Sequence, residues 1–406
     1  MRVCLIYDCL FPYTVGGAER WYRNLAERLA ADGHEVTYLT LRQWPRGEKL
    51  DLDPRIRVVP AGPRMDLYTS PDSGTPGRRR VLPPLVFGAG VLWHLLRHGR
   101  RYDVVHTCSF PYFSLLAAAL ARPLGRYGLV VDWFEVWSRD YWRSYLGGIG
   151  GRVGELVQRL CALVPQRAFC FSELHAARLR EQGLRSPIVV LRGLYTSPGT
   201  PAHGTPATAE LPTAREADPL VLFAGRLIPE KRVTVGVAAV ALAARQIEGL
   251  RGVFYGDGPE REALHRAIAE QDAGDFIAAP GFAGGEQVDA DMRRALCVLL
   301  PSEREGYGMV VVEASAHATP AVVAAAPDNA AVELVKDGVN GVVAADANPE
   351  AIAEAIVRVH EAGMTMREST ARWFAEHAEE LSLESSLGIV LESYDAGDAS
   401  RPSARR

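Results

Sequence analysis

Along residues 1–195 short runs of Val, Ile and Leu alternate with stretches in which apolar residues recur every three or four positions. RVCLIY, EVTYLTL, IRVVP, DVVHT, GLVVDW, AFCF and IVVL are each largely apolar and end at turn residues, the pattern of strands buried on both faces. Between them, 18–31, 113–121 and 153–163 read as amphipathic helices. Strand–helix alternation of this kind implies a mostly parallel sheet with helices on both sides. The pattern breaks at TSPGTPAHGTPATAELPT, which offers little to bury, so 196–218 reads as a linker. It restarts with PLVLFAG and continues through GVFYG, FIAAP, CVLLPS, PAVVAA and NGVVAA. Helices are expected near 230–246, 259–271, 308–318, 328–336 and 349–360.

The expectation is therefore two α/β domains, 1–195 and 219–375. A helix over 379–395 comes after the second sheet has ended and is expected to pack back across the first domain, with 396–406 as a disordered tail. The apolar segment 81–96 carries two prolines, two glycines and a histidine. It is shorter than the ~20 residues of a spanning helix and reads as a buried helix preceded by a loop.

Composition narrows the class. The 406 residues are 48% hydrophobic and 23% charged, as in a folded globular protein. The six cysteines form no C-x-x-C pair and no histidine-linked spacing, which favours free thiols over a zinc site or disulfide framework. With no cleavable signal pattern at MRVCLIYDCL, a cytoplasmic protein is expected, at most peripheral at the inner membrane face. The net charge of −4 is uneven: residues 1–200 hold 27 basic against 17 acidic side chains, leaving 18 against 32 for the rest. The basic half could face an anionic acceptor or membrane surface, or could carry only scattered solvated arginines. The arginines do not cluster with aromatics in a known nucleic-acid module, so nucleic acid is not an expected partner. Only three residues are lysine: Lys49, Lys231 and Lys336.

In open α/β sheets ligands bind at the carboxyl ends of strands, and four loops there carry candidate chemistry. In the first, Gly16 and Gly17 open a helix, where a phosphate could approach backbone amides, or where the chain simply turns. In the second, FAGRLIPEKR, Arg226 and Lys231 stand five residues apart and can converge on one diphosphate; an ordinary charged surface loop is the alternative. The third, PSEREGYGMVVVEA, places Glu305 after a strand and Glu313 in the following helix. Carboxylates suit vicinal hydroxyls, Glu305 for a sugar and Glu313 for a ribose, while Gly306 and Gly308 free the backbone around Tyr307. The fourth, YGDGPE, turns at Gly256.

Together these strings resemble the family-4 (group 1) retaining glycosyltransferases of GT-B fold over nearly the whole chain. The family's glycine-rich first loop is similar to VGGAER, and its G-R-x-x-x-x-K loop to Gly225-Arg226 through Lys231. Its G-x-G-P-E turn is similar to Gly256 through Glu260, and its Glu-x7-Glu signature to Glu305 through Glu313. The resemblance implies an α/β GT-B protein, two Rossmann-like domains with parallel sheets facing across a deep cleft. It implies transfer of a sugar from a nucleotide-diphosphate sugar, with retained configuration and without a metal or resident cofactor. The acceptor would be a saccharide, a lipid-linked molecule or a small molecule bearing a hydroxyl. Arg226 and Lys231 would neutralise the leaving diphosphate, Glu313 would hold the ribose and Glu305 the donor sugar. Backbone amides of Gly17 and of Tyr307–Gly308 would contact phosphate and sugar, and the loop at Gly281–Phe282 would border the base. One departure matters: relatives carry T-W-H-E-V-W where this chain has VDWFEVW, so Phe134 replaces a histidine. Asp132 or Glu135 could take over its polar contact, and the aromatics from Trp133 to Tyr145 could stack on a sugar or pack in the core. His106 and His34 read as structural. The rival readings are a GT-B nucleotide-sugar epimerase and a catalytically silent nucleotide-sugar-binding protein.

Overall fold

The computed structural model describes residues 1–14, 16–45, 47–67, 79–196 and 212–398, which divide into two compact units. The first holds a seven-stranded sheet of β1 (Arg2–Ile6), β2 (Glu35–Thr40), β3 (Arg57–Pro60), β4 (Val104–Cys108), β5 (Gly128–Trp133), β6 (Arg167–Cys170) and β7 (Ile188–Val190). Its order is β3-β2-β1-β4-β5-β6-β7 and every pairing is parallel. Helices α1 (Gly17–Ala31), α2 (Leu82–His98), α3 (Phe113–Gly125), α4 (Arg139–Ala162) and α5 (Glu173–Glu181) supply the crossovers. All seven apolar runs of the first half are strands. Of these, β1, β2, β4, β5 and β6 are mostly buried, since a parallel strand covered on both sides leaves no polar face in its sequence, while the edge strands β3 and β7 stay partly exposed.

The second unit contains β8 (Leu220–Ala224), β9 (Arg251–Tyr255), β10 (Ile277–Gly281), β11 (Cys297–Leu300), β13 (Ala321–Ala324) and β15 (Gly341–Ala344) in the order β10-β9-β8-β11-β13-β15. A two-residue pair, β12 (Arg304–Glu305) with β14 (Asp328–Asn329), lies beside it. Its helices are α6 (Val233–Ala243), α7 (Arg261–Glu270), α8 (Gly285–Arg294), α9 (Met309–Ala316) and α10 (Pro349–Leu381). Val221, Phe223, Val237, Val240, Phe254 and Ile356 are buried in its core, where α6 and α10 cover one face of the sheet.

Several elements differ from the sequence expectation. The helix near 328–336 is β14 followed by a 3-10 turn over Ala330–Leu334. There the Asn329 amide donates to Ser302 O and Ala324 O, and its Oδ1 accepts from Ala331 N, which fixes the backbone outside α geometry. The helix expected near 349–360 runs to Leu381 with a kink at Gly363, φ +48°. The helix expected over 379–395 is instead α11 (Leu383–Asp398). The chain breaks before it at Ser382, which bridges to Tyr195 and whose Oγ accepts from Ser385 N. Its Tyr394 OH lies 2.5 Å from His106 Nδ1, so α11 belongs to the first unit. Of the segment 196–218, residues 197–211 lie outside the described residues, as do 399–406 of the expected tail; 396–398 are helical.

Two helices place their apolar residues the other way from expectation. In α2, Phe87, Val91 and Leu95 are buried but Leu82, Leu85, Trp93 and Leu96 are exposed, so this helix is covered on one side only. In α4 the buried positions are Trp142, Gly151, Gly154, Gln158 and Cys161, while Val153, Leu156 and Leu160 face outwards. The small face is inside because Gly154 lies against the Trp142 ring, where a Cβ would sit 2.3 Å from a ring carbon. Gln158 is needed there too, accepting from Tyr112 OH and Trp137 N at 2.9 Å each.

All six cysteines are free and buried, and burial pushes the Cys297 thiol up to about 12. In α2, burial lowers His94 to about 4, with His98, Arg57 and Arg101 adding repulsion, and its Nε2 lies 2.7 Å from Tyr102 OH. Between pH 6.5 and 4 the unfolded chain therefore binds a proton that the native chain refuses, so stability falls as pH is lowered through that window. His94 is half-buried, and solvent screening reduces its share to about 1 kcal/mol. Thermal melts of His94→Gln should show a correspondingly shallower acid decline than the parent; identical pH profiles would remove His94 as a cause.

Candidate functional site

The second unit gathers the candidate residues of its loops at the carboxyl ends of β8, β9, β10 and β11. After β8 the chain turns at Gly225 and reaches Lys231 in a 3-10 turn, Pro229–Lys231. After β11 it passes Ser302 and enters β12 with Glu305. Glu303 N donates to Glu230 O at 2.9 Å, and Arg304 Nη2 donates to Glu230 Oε1 at 3.3 Å. These contacts bind the two loops to each other. Lys231 Nζ then donates to Glu305 Oε1, across 74 residues of sequence. The Glu305 side chain is only 9% exposed and that of Lys231 18%. A buried carboxylate needs such a partner, since unpaired burial of a charge is costly.

Two glycines make this loop arrangement possible. Gly256 has φ +145°, and a Cβ there would stand 1.8 Å from Gly225 O. Gly258 has φ +151°, with the space of its Cβ taken by Leu227 O at 2.4 Å. The loops after β8 and β9 are joined by Leu227 N to Asp257 O and Glu260 N to Leu227 O, both 2.9 Å. The third loop joins them through Gly256 N donating to Gly281 O at 2.9 Å. Arg226 projects from this junction, exposed and without an ion pair among the described residues, while Phe282 is 81% exposed on the loop after β10.

Beyond Glu305, Gly306 is half-buried and Tyr307 buried. Gly308 adopts φ +98° as the residue before α9, with Ala331 occupying the space of a Cβ at 2.4 Å. The first amides of an α-helix lack intrahelical acceptors, so the turn at Gly308 presents donors beside Glu305. Glu313 is half-buried five residues into α9.

In the first unit, Gly16 precedes α1 and Gly17 begins it. The Glu19 carboxylate fills the space beside Gly16, 2.4 Å from where a Cβ would lie. An anion arriving at this helix start would have to displace an acid already there.

Phe134 lies in an aromatic stack, its ring 4.4 Å from Phe171 and 6.5 Å from Tyr22. Asp132 is fully buried and accepts from Trp21 Nε1 at 2.7 Å, with His106 Nε2 2.9 Å from its other oxygen. It is occupied in the core and does not reach outwards in place of a histidine. Glu135 accepts from Trp137 Nε1 at 2.8 Å. Trp133 and Trp142 are core residues, whereas Trp137, Tyr141 and Tyr145 are half-buried and mutually packed. His34 Nδ1 lies 3.0 Å from the terminal amine. The sequence reading missed Glu230 and Asn329, whose side chains or carbonyls position the loops; no residue spacing marks them. A cavity of about 710 Å³ opens at the other end of the first sheet, beside Asp103, Gly128 and Arg167. That is the amino edge of the strands, opposite the end at which β1 leads towards Gly16 and Gly17.

Comparison with known proteins agrees with this architecture. The family model "Glycosyl transferases group 1" matches residues 209–377, and "Glycosyl transferase 4-like domain" matches 16–193. The chain is 29% identical to a D-inositol 3-phosphate glycosyltransferase of Actinosynnema mirum, over 93% of this chain and 92% of that protein. It is 30% identical to an alpha-D-kanosaminyltransferase of Streptomyces kanamyceticus, but that match spans 35% of this chain and only 36% of the relative. Among solved structures, sucrose-phosphate synthase from Thermosynechococcus elongatus superposes with a TM-score of 0.77 at 19% identity, covering 98% of this chain and all of that one. At that identity the likeness speaks for the fold alone.

Proposed function

Because the chain belongs to the group 1 glycosyl transferases, we propose that it transfers a sugar from a nucleoside diphosphate sugar to a hydroxyl acceptor, with retained configuration and no need of a divalent metal. The bond that breaks joins the anomeric carbon to the terminal phosphate oxygen. The bond that forms joins the same carbon, on the same face, to the acceptor oxygen, whose proton passes to the departing diphosphate.

The observation that carries this reading is the pairing of Lys231 with buried Glu305 at the carboxyl edge of the second sheet. The ammonium has three donor hydrogens, enough to keep Glu305 in place and also meet a phosphate. Arg226, exposed and without an ion pair among the described residues, adds the second cation. Negative charge grows on the diphosphate as the glycosidic bond breaks, and fixed positive charge there lowers the barrier. That is work a divalent ion performs in other enzymes. The second Glu305 oxygen can accept from a sugar hydroxyl, helped by the amides at Tyr307–Gly308. Glu313 would take the ribose diol, and Gly256 and Phe282 would border the base.

A screen of nucleoside diphosphate sugars with candidate hydroxyl acceptors, scored by nucleotide released, tests this directly. One donor–acceptor pair should give acceptor-dependent release that EDTA leaves unchanged, and the product should keep the donor's anomeric coupling in proton NMR. Release that ignores every acceptor, inversion at the anomeric carbon, or loss of activity in EDTA would each overturn the corresponding part.

A further inference from the structure

Seventeen large apolar side chains are exposed among the described residues, and thirteen of them lie between Val81 and Leu163. That stretch contains α2, α3 and α4. The crossovers from β3 to β4, β4 to β5 and β5 to β6 all step the same way across the sheet, and right-handed crossovers then place the three helices on one face. Contacts agree: Arg100 Nε donates to Leu124 O at 3.2 Å, Tyr112 OH to Gln158 Oε1 at 2.9 Å and Arg122 Nη1 to Pro165 O at 2.5 Å. The helix α1 crosses in the opposite direction and covers the other face.

The exposure is patterned. Along α4 it falls on Ile149, Val153, Leu156 and Leu160, spaced by steps of four, three and four on the helical turns after the kink at Gly147. That is one stripe of a helix, flanked by exposed Leu146 before the kink and Leu163 at the C-cap. On α2 it falls on Leu82, Leu85, Trp93 and Leu96, and between the two helices Leu120 is 70% exposed. An apolar layer of this extent on a single face marks an interaction surface.

Its charge selects the partner. Residues 81–163 contain nine arginines and no lysine. The acids within the three helices are Asp140 and Glu155, and Glu155 is engaged by Arg139 at 3.0 Å. Arg152 and Arg159 flank the α4 stripe, and Arg97 stacks on Trp93 at 3.1 Å beyond the α2 stripe. Were a second copy to pair along α4, these arginines would meet their own kind, and α2 would stay uncovered. Arginine stems over leucine, with a tryptophan among them, suit the boundary between lipid headgroups and acyl chains. No helix among the described residues is long and apolar enough to cross a membrane, so the contact lies along the surface.

We propose that the α2–α4 face of the first unit docks on an anionic lipid bilayer, its leucines and Ile149 entering the headgroup boundary and its arginines pairing with lipid phosphates. Co-sedimentation of the full chain with vesicles tests this without reference to glycosyl transfer. Binding to phosphatidylglycerol–phosphatidylcholine vesicles should exceed binding to pure phosphatidylcholine at least tenfold and weaken with salt. The double variant Ile149→Glu/Leu156→Glu, at exposed positions, should lose at least tenfold in binding while melting with the parent. Arg152→Ala/Arg159→Ala should lose the preference for anionic vesicles. Equal binding to both vesicle types, or undiminished binding by the glutamate variant, would overturn the proposal. So would a lipid-free dimer in light scattering that the glutamate variant converts to monomer, which would assign the face to a second copy.

Discussion

Lys231→Ala is expected to lower kcat by about 10²–10³-fold with little change in donor KM, the loss typical of one fixed group that stabilises developing charge. The substitution also strands the Glu305 carboxylate in a site where it is 9% exposed. Leaving a buried charge-bearing acceptor without its donor costs about 1–3 kcal/mol of stability, so a small fall in Tm should accompany the kinetic loss. Pairing the change with Glu305→Gln removes the stranded charge and should restore Tm without restoring kcat. Glu305 itself would hold the donor sugar, so the double variant reads stability alone, and the kcat of the single variant carries the chemical role. Should the alanine variant turn over within fivefold of the parent, Lys231 serves only to hold Glu305.

Gly256→Ala should be among the most damaging single-methyl changes in the second unit. The residue sits at φ +145°, and the added carbon would lie 1.8 Å from Gly225 O, a backbone atom with no rotamer to escape into. Left-handed backbone costs a non-glycine residue about 1–2 kcal/mol, and forced overpacking costs about 1–3 kcal/mol more. A total of about 3 kcal/mol corresponds to a Tm lower by about 6–12 °C for a unit of this size. Because Gly225 immediately precedes Arg226, relief of the clash displaces the exposed cation, and kcat should fall beyond what the lost stability explains. A variant that melts within 2 °C of the parent would mean that the two loops part without cost.

What was legible in the chain was what depends on local periodicity. A parallel strand buried on both sides has to be apolar throughout, so RVCLIY and CVLLPS announced themselves, and with thirteen such runs the two sheets followed. The motif loops were legible for a related reason: they sit where strands end, and their glycines are demanded by the local backbone. Gly256 and Gly308 both adopt the left-handed region.

Tertiary structure alone decided which groups meet. Nothing near Lys231 in the chain identifies Glu305, 74 residues on, as its partner; that contact exists because β8 and β11 are neighbours in the sheet. Asp132 looked able to replace a histidine beside Phe134, yet the strand turns it inwards to Trp21 and His106. The helices α2 and α4 show the same division most clearly. A spacing of three and four residues proves that a helix has an apolar side, because side-chain direction repeats every 3.6 residues. It cannot say whether that side is covered, which depends on what the crossovers bring against it. In α4 the ring of Trp142 claims the glycine face, and the leucines are left outside.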